Sequence, residues 1–343
     1  MANYETFFDD MGLRAWCDQG STDGPMSMSQ LLASVEPASA QNAPKLPFPS
    51  LDALHQVCAA IPQTRDMTKA VENGFLGIKD GLKMVLDPLT QPLSWLLEGA
   101  LYIFGSVPWW LMIPLLIAVA WIATKRRGIT VFVAVVFLFF GLIDHFDVAM
   151  QTLSIVFVCT SLSITLGVPV GIVMSRSDPV QRVMLPVLDM LQTLPSFVYL
   201  IPLIFLFSVT EPKLYGIAII LYAIVPIVRL TDLGIRLVDP DVIEAADAFG
   251  MSKHQKLIGV QLPLALPNIM AGVNQTIMMS LSMVVIASLV SAPGLGVLVL
   301  RGIRNLELGV GLVAGFGIVL LAVVLDRCSK AALHRIDASQ KPR

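Results

Sequence analysis

Acid and imidazole side chains crowd together at Asp144, His145 and Asp147, three groups within four positions of a 343-residue chain. Two carboxylates and an imidazole could hold a metal ion or pass a proton, but between two apolar segments the trio also reads as a solvated turn. Cys17, Cys58, Cys159 and Cys328 lie far apart, without the short paired spacing of a zinc or redox site. None of the ten lysines follows a glycine, so the Gly-Lys core of a phosphate-cradling loop is missing. This chain offers no ATP site of that kind, and no nucleophile–base or metal-ligand constellation marks it as a membrane-embedded enzyme. With 23 Lys+Arg against 25 Asp+Glu, a net charge of −2 gives no basic excess for nucleic acid. The residues point to mechanics rather than bond chemistry.

The mechanical signal lies in 231–268, 38 residues too long for a tight turn and too polar to cross a membrane. Here the chain reads Glu244-Ala245-Ala246-Asp247-Ala248-Phe249-Gly250, then nine residues, then Val260-Gln261-Leu262-Pro263. Asp241 can cap a helix, Glu244 suits its first turn, and the alanines favour helix while keeping its surface low. Gly250 can take the left-handed conformation that ends a helix. A second helix from about Lys253 runs to Leu262, where Pro263 and Pro267 oppose simple continuation. Helix, glycine turn and helix make a compact knob through which another protein can move the attached spans.

Glu-Ala-Ala, three residues, Gly, nine residues, an aliphatic residue, one residue, Leu-Pro resembles the signature loop of permease subunits of ABC-type importers, with Val260 where isoleucine is commonest. Leu191-Gln192-Thr193-Leu194-Pro195-Ser196-Phe197-Val198-Tyr199-Leu200-Ile201-Pro202 and Gly272-Val273-Asn274-Gln275-Thr276 look like the glycine betaine, proline betaine and choline permeases of that class. Leu281 to Ser288, Pro293-Gly294-Leu295-Gly296 and Leu300-Arg301-Gly302-Ile303 continue the likeness, which is good from about Asp144 to Leu333. The resemblance implies an all-α, type I importer-like permease for a quaternary ammonium osmolyte: glycine betaine, choline, proline betaine or trimethylamine N-oxide. It implies a second copy of the chain, two cytoplasmic ATPase subunits that hold the ATP and Mg, and an extracytoplasmic binding protein. It also makes Glu244, Ala245, Ala246, Gly250, Leu262 and Pro263 the ATPase-coupling candidates. No cofactor is expected in this chain.

Polar residues inside apolar segments are the pathway or gate candidates: Gln192, Thr193, Pro195, Phe197 and Tyr199, then Asn274, Gln275 and Ser282. In hydrocarbon their amides and hydroxyls must face other helices or a wetted path, so interhelical packing and pathway lining both stand open. Pro195 and Pro202 favour a kink there. Asp189 and Arg229 could pair between helices as a structural bridge or gate latch, or each could reach the headgroups alone. Aromatic faces suit a quaternary ammonium ion, and Tyr199, Phe197, Phe205, Phe207, Tyr215 and Tyr222 supply them, as they would for ordinary packing.

The elements that must position these residues are membrane helices. Hydrophobic residues make up 55% of the chain and charged residues 14%, against about 45–50% and 25% for a soluble domain. Leu257 to Leu300 carries no charge at all. Seven spans are expected near Trp95–Thr124, Ile129–Ile143, Ala149–Met174, Leu188–Val209, Leu214–Leu230, Ile269–Ala292 and Gly309–Leu325. The second is short, about 22 Å of a core about 30 Å thick.

Placing the N-terminus outside puts Lys125, Arg126, Arg127, Arg176, Arg182, Arg229, Arg236, Lys253, Lys256, Arg327, Lys330, Arg335, Lys341 and Arg343 in the cytoplasm. The short external loops then keep only Lys213, Arg301 and Arg304, as the positive-inside rule requires. The expected location is the bacterial cytoplasmic (inner) membrane, with the C-terminus inside. The N-terminus lacks the positive and apolar regions of a cleavable signal, so internal spans drive insertion.

The layout is then an extracytoplasmic tail (1–66), an amphipathic segment (67–94), two N-terminal spans (95–143), a permease core (144–333) and a cytoplasmic tail (334–343). Ser21–Ser50, with five prolines and six serines, reads as a flexible linker. Met67, Val71, Phe75, Ile78, Leu82 and Val85 recur at helical spacing, for a helix lying on the membrane surface or packed on the tail. Cys17 and Cys58 fall outside, where they are either bridged or free. The competing class is a secondary transporter driven by ion gradients. It calls for ionisable groups at mid-membrane and internal repeats, which the spans scarcely show.

Overall fold

The computed structural model describes residues 7–17, 58 and 64–336, so the Ser21–Ser50 stretch and residues 337–343 lie outside the described residues. The chain divides into two compact units, residues 1–80 and 81–343.

In the first unit a helical turn at Arg14–Cys17 ends on a disulfide between Cys17 and Cys58, which resolves the open question in favour of the bridge. Arg14 pairs with Asp9 at 3.2 Å. Helix α1 (Thr64–Ser106) starts in this unit and continues into the next. The amphipathic segment and the beginning of the first span are therefore one continuous helix. On its expected apolar face, Met67, Val71, Ile78 and Val85 are all exposed.

The second unit continues with α2 (Trp109–Thr124), α3 (Arg127–Leu142), α4 (Phe146–Arg176) and α5 (Asp178–Thr193). A 3₁₀ turn (Ser196–Tyr199) leads to α6 (Leu200–Leu206), followed by α7 (Pro212–Arg236) and α8 (Pro240–Ala248). Then come α9 (Lys253–Lys256), a π turn (Leu257–Gln261), α10 (Leu262–Ala287), α11 (Leu295–Arg304) and α12 (Leu308–Ile336).

Four stretches are long and apolar enough to cross a membrane singly: α4, α7, the run from Lys253 to Val290, and α12 from Leu308 to Ala332. Two further apolar stretches are bent helix pairs, each with the form of a broken span or a re-entrant loop. Residues Met67–Ser106 meet α2 at 112°, and α5 meets the Ser196–Leu206 segment at 104°. Trp95–Thr124 and Leu188–Val209 are thus not continuous helices. Prolines explain both breaks: Pro108 and Pro195 stand at the bends, each lacking an N–H and pushing the residue before it out of the helical region. The short segment is α3, 16 apolar residues. Counting each bent pair as one span gives six of the expected seven, and α3 is shorter than the length required of the others.

The core is built around α7. Gly171 in α4 has no side chain because a Cβ there would lie 2.6 Å from Thr231 of α7. Gly234 in α7 meets Asn268 of α10 the same way, at 2.8 Å. Such small residues let membrane helices approach closely where apolar burial gives no drive. Ile227 and Ile235 of α7 pack with Leu257, Ala265 and Ile269 on one side. On the other, Val225 and Val228 pack with Met174 and Leu188 of α4 and α5.

Candidate functional site

The segment between α7 and α10 folds as two helices joined at a glycine. Its true extent is Leu237–Gln261. The expected 231–268 is too long at both ends, because Thr231 is buried in the body of α7 and Leu262–Asn268 already belong to α10. Asp239, not Asp241, caps α8: its carboxylate accepts the Asp241 N–H at 2.9 Å, with Pro240 at the first turn. The cap falls two residues earlier because proline suits the first helical position and so fixes where the helix begins.

Gly250 has φ +73. The Met251 N–H donates to the Ala246 carbonyl at 3.1 Å and the Gly250 N–H to the Asp247 carbonyl at 2.9 Å. Those two bonds are the Schellman closure of a helix C-terminus. Ser252 and Gln255 then form a reciprocal capping box at the start of α9. Lys256 braces the two helices by reaching both Asp247 oxygens, at 2.6 and 2.7 Å.

The return leg does not stop at the prolines. Helical structure runs from Lys253 through α10, with Pro263 and Pro267 inside it. The π turn makes this possible: the Leu262 N–H reaches back five residues to the Leu257 carbonyl, which widens the backbone just where Pro263 has no N–H to give.

Glu244, Ala245 and Gly250 are exposed and Ala246 is buried, while Leu262 is half-buried and Pro263 exposed. Phe249, at the joint, is 87% exposed. It borders an open concavity of about 560 Å³ with Gly250, Met251, His254 and Ile258. The sequence reading did not single out Phe249. An aromatic residue directly before the helix-ending glycine was the available signal.

The pathway candidates separate. Asn274 gives its amide N–H to Asp326 of α12 at 3.0 Å and takes the Ser329 hydroxyl at 2.8 Å. Both ends of its amide are thus used in holding α10 to α12. Gln275 and Ser282 are exposed, and Ser282 donates to the Met278 carbonyl of its own helix at 3.0 Å. Gln192 is half-buried and Thr193 exposed, at the end of α5. Pro195 and Phe197 are exposed at the break, and the buried Tyr199 donates its hydroxyl back across it to the Leu191 carbonyl.

Asp189 and Arg229 do pair. His145 donates through Nδ1 to the Ile143 carbonyl at 2.6 Å, holding the turn that carries Asp144 and Asp147. Among the described residues no three His, Cys, Asp or Glu side chains are grouped as a metal site.

Two polar groupings were not anticipated. Lys213, at the start of α7, is buried against Asp87 (2.6 Å) and Glu211 (2.9 Å) and lies over the Phe207 ring. Arg236, the last residue of α7, bonds Asp232 (3.0 Å), Asp178 (2.8 Å) and the Met174 carbonyl (2.9 Å). Gln181 completes that group by donating to Asp232 at 2.7 Å. Only the i, i+4 pair Asp232–Arg236 was visible in sequence.

Residues 163–339, which include this helical knob and the bundle helices that carry it, match the family described as the binding-protein-dependent transport system inner membrane component. The chain belongs to that family. It is 42% identical over 258 residues to the glycine betaine transport system permease protein OpuAB of Bacillus subtilis (strain 168), covering 75% of this chain and 86% of that protein. It is 40% identical over 263 residues to the glycine betaine/proline betaine transport system permease protein ProW of Escherichia coli (strain K12), covering 76% and 73%. The glycine betaine/carnitine transport permease protein GbuB of Listeria monocytogenes serotype 1/2a (strain 10403S) is 40% identical over 247 residues, covering 71% and 87%. As an inner membrane component of this family the chain is a permease subunit, and the two-helix knob and the bundle beneath it are parts of a transporter.

Proposed function

We propose that this permease carries a methylated-amine osmolyte inward, using ATP hydrolysed by separate cytoplasmic subunits. Two copies of the chain enclose the path, two ATPase subunits holding ATP and Mg seat on the α8–α9 knobs, and an extracytoplasmic binding protein delivers the solute. The relatives named for glycine betaine, proline betaine and carnitine support this substrate class. All three solutes carry a quaternary ammonium group. The N-terminus lies outside and the C-terminus in the cytoplasm, a reading that fits both the Lys and Arg distribution and a bridged Cys17–Cys58 pair.

The observation that carries the proposal is the knob: short, capped at both helices, cross-braced by Lys256–Asp247, and continuous through the π turn with α10. Exposed Glu244, Ala245 and Gly250 form its docking side, with Ala246 buried behind them, and Leu262 and Pro263 form its root. Gln192, Thr193, Phe197, Gln275 and Ser282 are the pathway or gate residues, with Pro195 and Tyr199 shaping the break and Asn274 serving as interhelical glue. A chain with no phosphate-cradling loop that must still move solute uphill needs an external motor.

Gly250→Val tests the coupling. A Cβ at Gly250 meets nothing within 4 Å, so the substitution acts through the backbone alone, at about 1–2 kcal/mol for a left-handed residue. We expect normal insertion, loss of ATPase attachment in pull-down, and loss of osmolyte uptake by vesicles holding the complete transporter. Undiminished uptake would overturn the coupling role.

A further inference from the structure

The coupling reading leaves open how a push on the knob reaches the break at Leu194–Pro195. The α5 helix ends at that break and begins beside the end of α7, three residues before α8 starts. It lies against α7 through an apolar seam, Leu188 packed with Val225, Val228 and Met174. Ionic contacts tie α5 to α7 near both ends of α5. At one end the Arg236 guanidinium takes Asp178, Asp232 and the Met174 carbonyl together, and Gln181 holds the buried Asp232. At the other end Arg229 takes Asp189. Asp178 and Asp189 are 11 residues apart, about 16 Å along a helix.

The single residue between α4 and α5, Ser177, is extended, so the α4–α5 elbow is a natural hinge. Arg236 spans that elbow. Its Nη2 caps a carbonyl in the last turn of α4, its Nη1 holds the first residue of α5, and its Nε holds α7. A planar fork of donors can satisfy three fixed acceptors at once, which an ammonium on a flexible stem cannot do in the same geometry.

We propose that Arg236 is the positioning residue that makes α5 travel as one piece with the coupling knob, so that displacement of the knob is delivered to the Leu194–Pro195 break instead of being absorbed at Ser177. The proposal rests on the coupling reading and goes beyond it by naming the transmission.

The test uses the complete transporter in vesicles, with uptake and ATP hydrolysis measured together. Arg236→Gln should keep the ATPase attached while solute moved per ATP falls about 5-fold or more, the size of an ordinary coupling energy. Asp178→Asn removes only an exposed partner and should fold even if Arg236→Gln does not, with a smaller fall in the same ratio. A structural readout separates transmission from general weakening. Spin labels at Val183→Cys and Leu237→Cys, both exposed positions, are placed in a Cys159→Ala, Cys328→Ser background. Their separation should stay constant between nucleotide-free and nucleotide-trapped states in the parent and change between them in Arg236→Gln.

A native transport-to-hydrolysis ratio in both Arg236→Gln and Asp178→Asn overturns the proposal, as does a label separation that already changes in the parent. In either case the coupling reading survives if Gly250→Val still releases the ATPase. If Gly250→Val leaves attachment and uptake intact, that reading itself has failed.

Discussion

Gly250 and Lys213 show what a single residue reveals in sequence and what it hides. The left-handed turn at Gly250 was legible because a glycine between two helix-forming runs has few other uses, and its φ of +73 confirms it. Lys213 was legible only as one external charge, because Asp87 lies 126 positions away and no local pattern pairs them. Its side chain is 4% exposed, whereas Asp87 and Glu211 keep about a third of their side chains in contact with solvent. Removing the cation from a buried pair costs about 3–5 kcal/mol, and the partial exposure of both acids lowers that figure to about 1–2 kcal/mol. Lys213→Met should therefore reduce the detergent-solubilised protein's stability by that amount, measured by thermal or denaturant unfolding. Adding Asp87→Asn should recover part of it by removing one stranded carboxylate. A double variant no better than the single would show that the pair is not coupled.

At the scale of elements, the apolar runs were all present in the sequence, and so was a kink at Pro195, but the size of the bends was not. Pro108 and Pro195 were visible, yet a proline inside an apolar run permits anything from a slight kink to the 112° and 104° turns found here. Tertiary packing decides which. Pro263 misled in the opposite direction: it marks no helix end, because the π turn at Leu257–Gln261 absorbs the missing donor. A π turn holds one residue more than the α-ladder needs. Deleting Gly259, exposed and with nothing within 4 Å of its would-be Cβ, should close the ladder and rotate α8 and α9 by about 100° relative to α10. The expected result is a permease that inserts normally but no longer retains the ATPase in pull-down. Retained attachment would mean that the orientation of the knob does not depend on the turn.

For the whole molecule, the charge asymmetry makes a statement that no contact in the bundle makes. Fourteen Lys and Arg residues fall in segments read as cytoplasmic and three in short external loops, a bias that acts during insertion, before any helix has packed. The folded structure has no membrane direction of its own, so its packing would be the same either way up. Orientation has to be read from the sequence and tested in cells. The bridge between Cys17 and Cys58 leaves Cys159, buried, and Cys328 as the free thiols. With both replaced by serine, a cysteine introduced at Lys125, in the α2–α3 turn, should be blocked by an impermeant maleimide only after the membrane is opened. One at Asn305, between α11 and α12, should be blocked in intact cells. Residues 125 and 305 are separated by α3, α4, the α5–α6 pair, α7 and α10, five crossings if the short α3 spans. An odd number puts them on opposite sides. Labelling of both from one side would show that either α3 or the bent α5–α6 pair does not cross, and if it is α3 the N-terminal tail would then lie inside, in the compartment where its disulfide is least expected.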